Sequence, residues 1–530
     1  MLGRAVATHA AVVAVAVVSL QRRARSKRGV CCQASSAEIK RDFFIFQNPG
    51  GLQDYAYKGL LGDGGFSSVS LFIHKRTGQP RAIKKIRRLG TSTRQFQTEL
   101  QALISLDHPH IVKVLEYFED PAHFHVVFEL CSGNDLLTHF SQSNRRRDGV
   151  KDVERDASIV LRQSLNAVVG CHAKGLIHRD LKPENFLLVG KDLTVKLIDF
   201  GLATRCGEGE LARGIYGTLG YMAPEVLLNS EGYEKAADIW SLGAILFVLL
   251  TSEPFLADGE ERELMQDERY MRQRVRSCHK LAENSSDAVD LLEKMLEWDP
   301  KKRISALQIL QHPFITAHGG EQLCNRSGST KLQKPLDCKL DKRLPSKMER
   351  YAKSPRMRQI GLRCLVHLAS NAALPQDLLH EIFTARHHFR SLNPSGTGWV
   401  SEHQLRMRLE EERIPVPSNF GEICKDCQHA SHGLEVLLDY DVFLACLLID
   451  APWPDVLFRE VFIILDRSRD GVIALEDLIE FARADHSKGC EAIFREVDPE
   501  GSGYINYDKF MSIMEADEPL FEWFVPTSQS

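Results

Sequence analysis

The first 37 residues contain no aspartate or glutamate; the earliest acidic residue is Glu38. The N-terminal apolar run, Ala5 to Leu20, has 16 residues and is interrupted by Thr8 and His9. That is short of the roughly 20 residues a membrane-spanning helix needs. Arg22, Arg23, Arg25, Lys27 and Arg28 follow it. The pattern fits a signal-peptide core, a short signal anchor or part of an organelle presequence, so residues 1–50 read as a targeting or disordered segment. If the run anchors, the basic cluster keeps the C-terminal side in the cytosol. The expected location is therefore cytoplasmic, with membrane contact through the N-terminus; import into an organelle is the alternative. Gly3 is not at the myristoylation position, whereas Cys31 and Cys32 beside the basic cluster are palmitoylation candidates. The chain also lacks a charge surplus. Lys and Arg total 67 against 71 Asp and Glu, a net charge of -4. Nothing global points to nucleic acid, and Arg145-Arg146-Arg147 reads as a solvated loop tip. The 13 cysteines lack framework spacing, which suits a reducing compartment. With 530 residues there is room for several domains.

What is present is concentrated in His178-Arg179-Asp180-Leu181-Lys182-Pro183-Glu184-Asn185. Asp180 can accept the proton of a hydroxyl, Lys182 can neutralise a moving phosphoryl group, and Asn185 can hold Mg²⁺. Upstream lies Leu61-Gly62-Asp63-Gly64-Gly65-Phe66-Ser67-Ser68-Val69. Gly62 and Gly64, without a Cβ, allow close approach of backbone to phosphates. Ala82-Ile83-Lys84 follows on a strand, where period two puts Ala82 and Lys84 on one face and Lys85 on the other.

In this order the motifs resemble eukaryotic protein kinases, and the lysine at 182 is the serine/threonine form. The resemblance covers about Tyr55 to Ile315. It implies that Phe66 lids the phosphates, that Val69 and Ala82 enclose adenine and that Lys84 reaches the phosphates. Ser67 replaces the third glycine of the pattern. Glu99 is the expected ion-pair partner of Lys84. Val126 to Cys131 reads as a buried strand entering the hinge, with Phe128 as gatekeeper and Glu129 and Cys131 beside adenine. Asp199, in Asp199-Phe200-Gly201, is the second metal ligand. Gly217-Thr218 and Ala223-Pro224-Glu225 close the activation segment, Thr218 lying in the substrate loop. Its usual phosphothreonine position is Gly214, and the hydroxyls between Asp199 and Gly220 are Thr204, Tyr216 and Thr218. Arg303 is the expected buried partner of Glu225. Asp135 and Glu184 lie where related kinases bind basic residues upstream of the phosphosite.

Residues 316–375 read as a linker and junction. Tyr351, Met357, Ile360, Leu362, Leu365 and Leu368 lie among Lys353, Arg356, Arg358 and Arg363. This basic amphipathic segment resembles the junction of calcium-dependent protein kinases, which docks on the kinase and blocks it. Residues 376–515 resemble a calmodulin-like domain of four EF-hands, followed by a tail, 516–530. Phe389, Phe462 and Phe494 precede three loops, and Val400, Leu438, Ile473 and Ile505 fill the apolar eighth loop position. The calcium ligands are eroded. The first loop, 393–404, starts at Asn393 and ends in Gln404; the second has lost the pattern. The third offers Asp466, Ser468, Asp470, the Val472 carbonyl and Asp477. The fourth offers Asp498, Glu500, Ser502 and the Tyr504 carbonyl, but ends in Lys509. Cys424, Cys427, His429 and His432 carry zinc-type donors, yet the Cys-to-His gap is far shorter than in fingers, so this reads as an eroded loop.

The fold class expected is therefore α+β: a bilobal kinase, then an all-α EF-hand domain. The function expected is transfer of the ATP γ-phosphoryl group to Ser or Thr of proteins with basic residues upstream. Mg²⁺ and ATP are the cofactors, and Ca²⁺ is regulatory, at one site. The alternatives are a calcium-independent kinase that uses its EF-hands only for docking, or a non-catalytic scaffold.

Overall fold

The computed structural model describes residues 46–47, 51–63, 67–88, 96, 100, 103–104, 106, 108–144, 150–189, 193–207, 209–228, 232–256, 267, 269–279, 281, 284–317, 339–369, 374–393, 397–427, 436–482 and 487–515. Gly64, Gly65, Phe66 and Glu99 fall outside them, as do the N-terminal 45 residues, the Arg145–Arg147 loop, His429, His432 and the C-terminal tail. No helix among the described residues is long and apolar enough to cross a membrane.

The first lobe is a six-stranded sheet. Its strands are β1 (Phe46–Gln47), β2 (Tyr55–Asp63), β3 (Ser67–His74), β4 (Pro80–Arg87), β5 (Val114–Glu119) and β6 (His123–Glu129), in spatial order β1-β5-β6-β4-β3-β2. All pairs are antiparallel except β1 with β5. The sheet is packed on both faces. Phe96, Leu100 and Ile104 cover Val114, Phe124 and Val126 on one side, and Phe96 stacks on Phe124 at 4.1 Å. Tyr55, Ile83, Leu115, Phe118 and Val127 cluster on the other.

The second lobe is helical. The helix Ala236–Thr251 is buried from Ala237 to Thr251, as its nearly continuous apolar sequence requires. Gly243 lets the helix Ser286–Met295 lie against it, since a Cβ there would meet Met295 Cβ at 3.0 Å. Arg303, fully buried at its side chain, forks onto Glu225 with Nη1–Oε1 2.6 Å and Nη2–Oε2 3.0 Å.

The third unit buries one core from Leu340 to Met514. Two short ladders tie its helix pairs: Trp399–Ser401 with Leu437–Asp439, and Ile473–Ala474 with Tyr504–Ile505. Val400 faces Leu438 and Ile473 faces Ile505, all four fully buried, and Phe389, Phe462 and Phe494 are buried behind them. This is the EF-hand frame, with its apolar ladder position filled four times and its preceding Phe three times.

Among the described residues the junction packs on the EF-hand domain. Its helices, Leu344–Lys353 and Arg356–Leu368, are built into the EF-hand core, where Leu344, Met348, Tyr351, Met357 and Leu365 have no exposure. Its cations are satisfied there. Lys347 donates to the Leu447 carbonyl at 2.7 Å, Arg350 pairs with Asp450 at 2.6 Å, and Arg363 pairs with Asp441 at 2.8 Å. Gly361 admits Met514, whose Sδ would lie 2.4 Å from an added Cβ. An amphipathic basic segment specifies an apolar face but not which apolar surface covers it. The EF-hand domain touches the small lobe through Arg76–Glu460 at 3.2 Å and Arg469–Asp54 at 3.2 Å.

Candidate functional site

Strand register decides which candidates share a face of the sheet. Lys84 lies opposite Val69 and Val126, and Ala82 opposite Leu71 and Phe128. Directly opposed residues share a face, so Val69, Ala82, Lys84 and Phe128 line one surface. Lys85 lies opposite Ser68 and His125 on the other face. Gly62 and Asp63 end β2 against Val69 and Ser68, with Leu61 half exposed beside them. Ser67 starts β3.

At the end of β6 the Glu129 carboxylate turns away from this surface. It accepts from the Lys113 N–H at 2.8 Å and pairs with Lys196. Only its backbone remains for adenine, as the hinge reading requires. Burial pushes the Cys131 thiol up to about 12, so it stays protonated.

The catalytic loop is held by Asp238. Its carboxylate accepts from the backbone N–H of His178 at 3.0 Å and of Arg179 at 3.1 Å, and pairs with His172 at 2.7 Å. Arg179 needs that grip, because its φ of 70° lies in the left-handed region. Burial alone pushes the Asp238 carboxyl up, but His172 and then His178 outweigh it and hold it below the usual range. His172 was not legible as a functional residue. Nothing in its local sequence signals a partner 66 positions away.

Within that loop Asp180 Oδ1 accepts from the Thr218 hydroxyl at 2.7 Å, and Oδ2 accepts from Lys182 Nζ at 2.9 Å. Lys182 also reaches Thr218 at 3.1 Å. Asn185 is buried, and its amide donates to the Asp180 carbonyl at 2.7 Å. The hairpin that follows pairs Phe186 with Leu197, and the Ile198 N–H donates to the Asn185 carbonyl at 2.8 Å. Asp199 is thereby brought beside Asn185. Its carboxylate accepts from Lys84 Nζ at 2.7 Å. Chiefly through Lys84, the Asp199 carboxyl is held far below the usual carboxylate range. A carboxylate and an amide oxygen beside a general base fit a hard divalent cation, and an ammonium over them fits a polyphosphate. Asp199 itself is strained at φ 58°, as residues at functional turns often are.

Of the substrate candidates, Glu184 is exposed, while Asp135 is committed to capping the helix Leu136–Asn144. It accepts from the Thr138 N–H at 2.8 Å and hydroxyl at 2.7 Å. Arg179 stacks its guanidinium over Tyr216 at 4.4 Å, a partnership the motif did not disclose.

The calcium loops differ in how their ligand positions are used. In the first, Asn393 Oδ1 accepts from Thr397, and Gln404 closes a capping box with Ser401. Neither end of the loop offers an anion. In the third, Asp466 accepts from the Gly471 N–H at 2.9 Å, while Asp477 accepts from Ser468 and Ala474 amides, each at 2.7 Å. Both carboxylates are buried and point into one loop, with Ser468 3.2 Å from Asp466 and Asp470 accepting from the Val472 N–H. This donor set fits a divalent cation. In the fourth, Lys509 Nζ lies 2.7 Å from Asp498 Oδ1; Glu500 and Tyr504 are exposed and Ser502 caps Asp498. Cys424 and Cys427 are buried in the core; the zinc-type reading with His429 and His432 lies outside the described residues.

Comparison with known proteins agrees with this geometry. The protein kinase domain family matches residues 55–315, and the EF-hand domain pair matches 456–515. The chain is 30% identical over 483 residues to calcium-dependent protein kinase 14 of Arabidopsis thaliana, covering 87% of this chain and 83% of that one. It is 29% identical over 473 residues to calcium-dependent protein kinase 5 of Plasmodium falciparum (isolate 3D7), covering 86% and 76%. Calcium-dependent protein kinase 17 of Arabidopsis thaliana is 29% identical over 472 residues, covering 87% and 83%.

Proposed function

The chain belongs to the calcium-dependent protein kinase family, and from that premise we propose that it phosphorylates Ser and Thr of basic protein substrates under control of a single calcium site. One observation carries the chemistry: Asp180 is clasped between Thr218 and Lys182, with Asn185 and Asp199 alongside. Asp180 accepts the substrate hydroxyl proton. Lys182 neutralises charge on the phosphoryl group in transit, and Lys84 positions the phosphates from above. ATP and a divalent metal follow from the kinase domain; Mg²⁺ is the metal proposed, held by Asn185 and Asp199. When bound, it offsets charge on the β- and γ-phosphates.

Exposed Glu184 supports a preference for Arg or Lys upstream of the acceptor, while Asp135 is engaged in capping its helix. Burial of the junction in the EF-hand core supports regulation from that domain, and Asp466 and Asp477 in one loop support a single Ca²⁺. The basic N-terminus supports contact with an anionic membrane, the kinase facing the cytosol. The docking-only and scaffold readings are not favoured, since the catalytic residues lie together as transfer requires. Radiolabelled ATP with a basic Ser/Thr peptide and a matched Tyr peptide tests the reading, each with Ca²⁺ and with chelator. Labelled Tyr, or no label on either, overturns it.

A further inference from the structure

The fourth EF-hand is shaped like a loop around an ion. Gly501 and Gly503 are left-handed, at φ 70° and 80°, and the Gly503 and Ser502 amides donate to Asp498 at 2.8 and 3.2 Å. Asp466 is gripped the same way by Gly471 in the third loop. The difference lies at the twelfth position. In the third loop Asp477 folds inward onto backbone amides. In the fourth, Lys509 reaches back eleven residues to put its ammonium 2.7 Å from Asp498 Oδ1 and 3.5 Å from Ser502 Oγ. The Asp498 side chain is only 2% exposed. A carboxylate so buried requires a counter-charge.

We propose that Lys509 is the resident cation of the fourth hand: its ammonium takes the place of Ca²⁺, so this loop is closed at all calcium levels and serves as a fixed partner for the third. The inference deepens the calcium reading above, on which its regulatory meaning rests. The loops are bonded across Ile473–Ile505 and Ala474–Tyr504, so a loop held shut by its own side chain presents the third loop with a preformed ladder. Calcium entering the third loop then meets half of the pair already ordered. The fourth loop adds no second calcium step, because an ammonium occupies the position from which a bidentate carboxylate would chelate. Burial pushes the Asp498 carboxyl up, but Lys509, Ser502 and Gly503 outweigh it and hold it well below the usual range.

The test is thermal unfolding of the full chain in chelator, with ion counting by calorimetry. Lys509→Met keeps the aliphatic reach and removes the charge. It should lower the midpoint of the EF-hand transition in chelator by about 4 °C or more, because Asp498 loses its partner. Lys509→Glu should be destabilised in chelator as well, regain stability with Ca²⁺ and bind one more Ca²⁺ than wild type. No calcium is present in the chelator arm, so its result does not depend on whether the third hand binds the ion. A Lys509→Met midpoint equal to wild type in chelator overturns the resident-cation role. So does a wild-type chain whose calcium count falls by one in Asp498→Asn.

Discussion

The ammonium of Lys84 stands 2.7 Å from Oδ1 of Asp199, tying the strand that faces ATP to the turn that faces the metal. Lys84→Met, Asp180→Asn and Asp199→Ala should each lower kcat by a factor on the order of 10² to 10³ or more. Steady-state turnover of a basic peptide checks this. A variant within tenfold of wild type would remove that residue from the mechanism.

The activation segment should work without phosphate. Arg179 is already occupied, donating to the Leu202 carbonyl and stacking on Tyr216. Gly214 takes φ 91°, and a Cβ there would meet the Tyr216 ring at 2.4 Å. An aromatic face thus occupies Arg179, where a phosphothreonine would otherwise be its partner. Phosphatase-treated enzyme should retain full activity with Ca²⁺ present. Tyr216→Ala should reduce activity several-fold, the worth of about 1 kcal/mol of cation–π contact. Recovery of the Tyr216→Ala loss by phosphorylation elsewhere in the segment would contradict the assignment.

Much of this was legible because the chemistry is local in sequence. Asp180, Lys182 and Asn185 lie within six positions, and a strand's period of two separates Lys84 from Lys85. The Arg303–Glu225 pair was foreseen because a buried carboxylate requires a cation. Other features depend on packing at long range. His172 and Tyr216 acquire partners only when the loop folds back on the helices. The apolar stripe of residues 348–368 is visible in the sequence, but both lobes and the EF-hand domain offer apolar surfaces to it. Only the match of Gly361 to Met514 and of Arg363 to Asp441 decides among them, and neither match is a motif.

That decision makes the junction a part of the EF-hand fold. Arg363 and Asp441 are 3% and 8% exposed at their side chains and lie 2.8 Å apart. Asp441→Asn leaves a buried guanidinium without its counter-charge and should destabilise the domain by roughly 3 kcal/mol. Denaturant titration of the full chain reads this directly. The double change Arg363→Met with Asp441→Leu should recover much of the loss, since an apolar pair suits the same space. A single variant as stable as wild type would show that the pair is dispensable.

The contact between the EF-hand domain and the small lobe should weaken as pH rises. Glu460 faces Arg76 at 3.2 Å, His74 at 3.9 Å, and lies near Asp54, Arg81 and Glu116. Burial, helped by Glu116 and Asp54, raises its carboxyl to about 7 against the pull of Arg76. A carboxyl raised on docking is protonated more readily docked than undocked. Glu460 therefore favours the docked form below its undocked value near 4.5 and withdraws that support as pH climbs through about 7, while His74, lowered by burial to about 4, acts in the opposite sense only below about 6.5. Hydrogen exchange at Tyr55 to Tyr57 should quicken between pH 6 and 8 beyond the intrinsic rate, and Glu460→Gln should flatten the change. An unaltered profile in Glu460→Gln would place the pH dependence elsewhere.

Calcium binding should rest on the third hand and be shallow. Asp466 and Asp477 bring two buried carboxylates into one loop, and Asp470 adds a third anion. Asp477 is one methylene shorter than the glutamate that chelates with both oxygens, and its oxygens accept from the Ser468 and Ala474 amides. An ion must compete with those two bonds through a short arm, which favours Mg²⁺ or weak Ca²⁺. Asp466→Ala should abolish the site. Asp477→Glu should tighten Ca²⁺ about tenfold and raise its selectivity over Mg²⁺, because the longer arm can reach the ion while Glu476 and Leu475 keep the helix start. With one competent loop the activation curve should show a Hill coefficient near one, since coupling needs a second ion. Calorimetry and peptide turnover on the full chain, titrated with Ca²⁺ at fixed Mg²⁺, measure both quantities. Two tight sites in the wild type, or steep activation that survives Asp466→Ala, would move calcium control out of this loop.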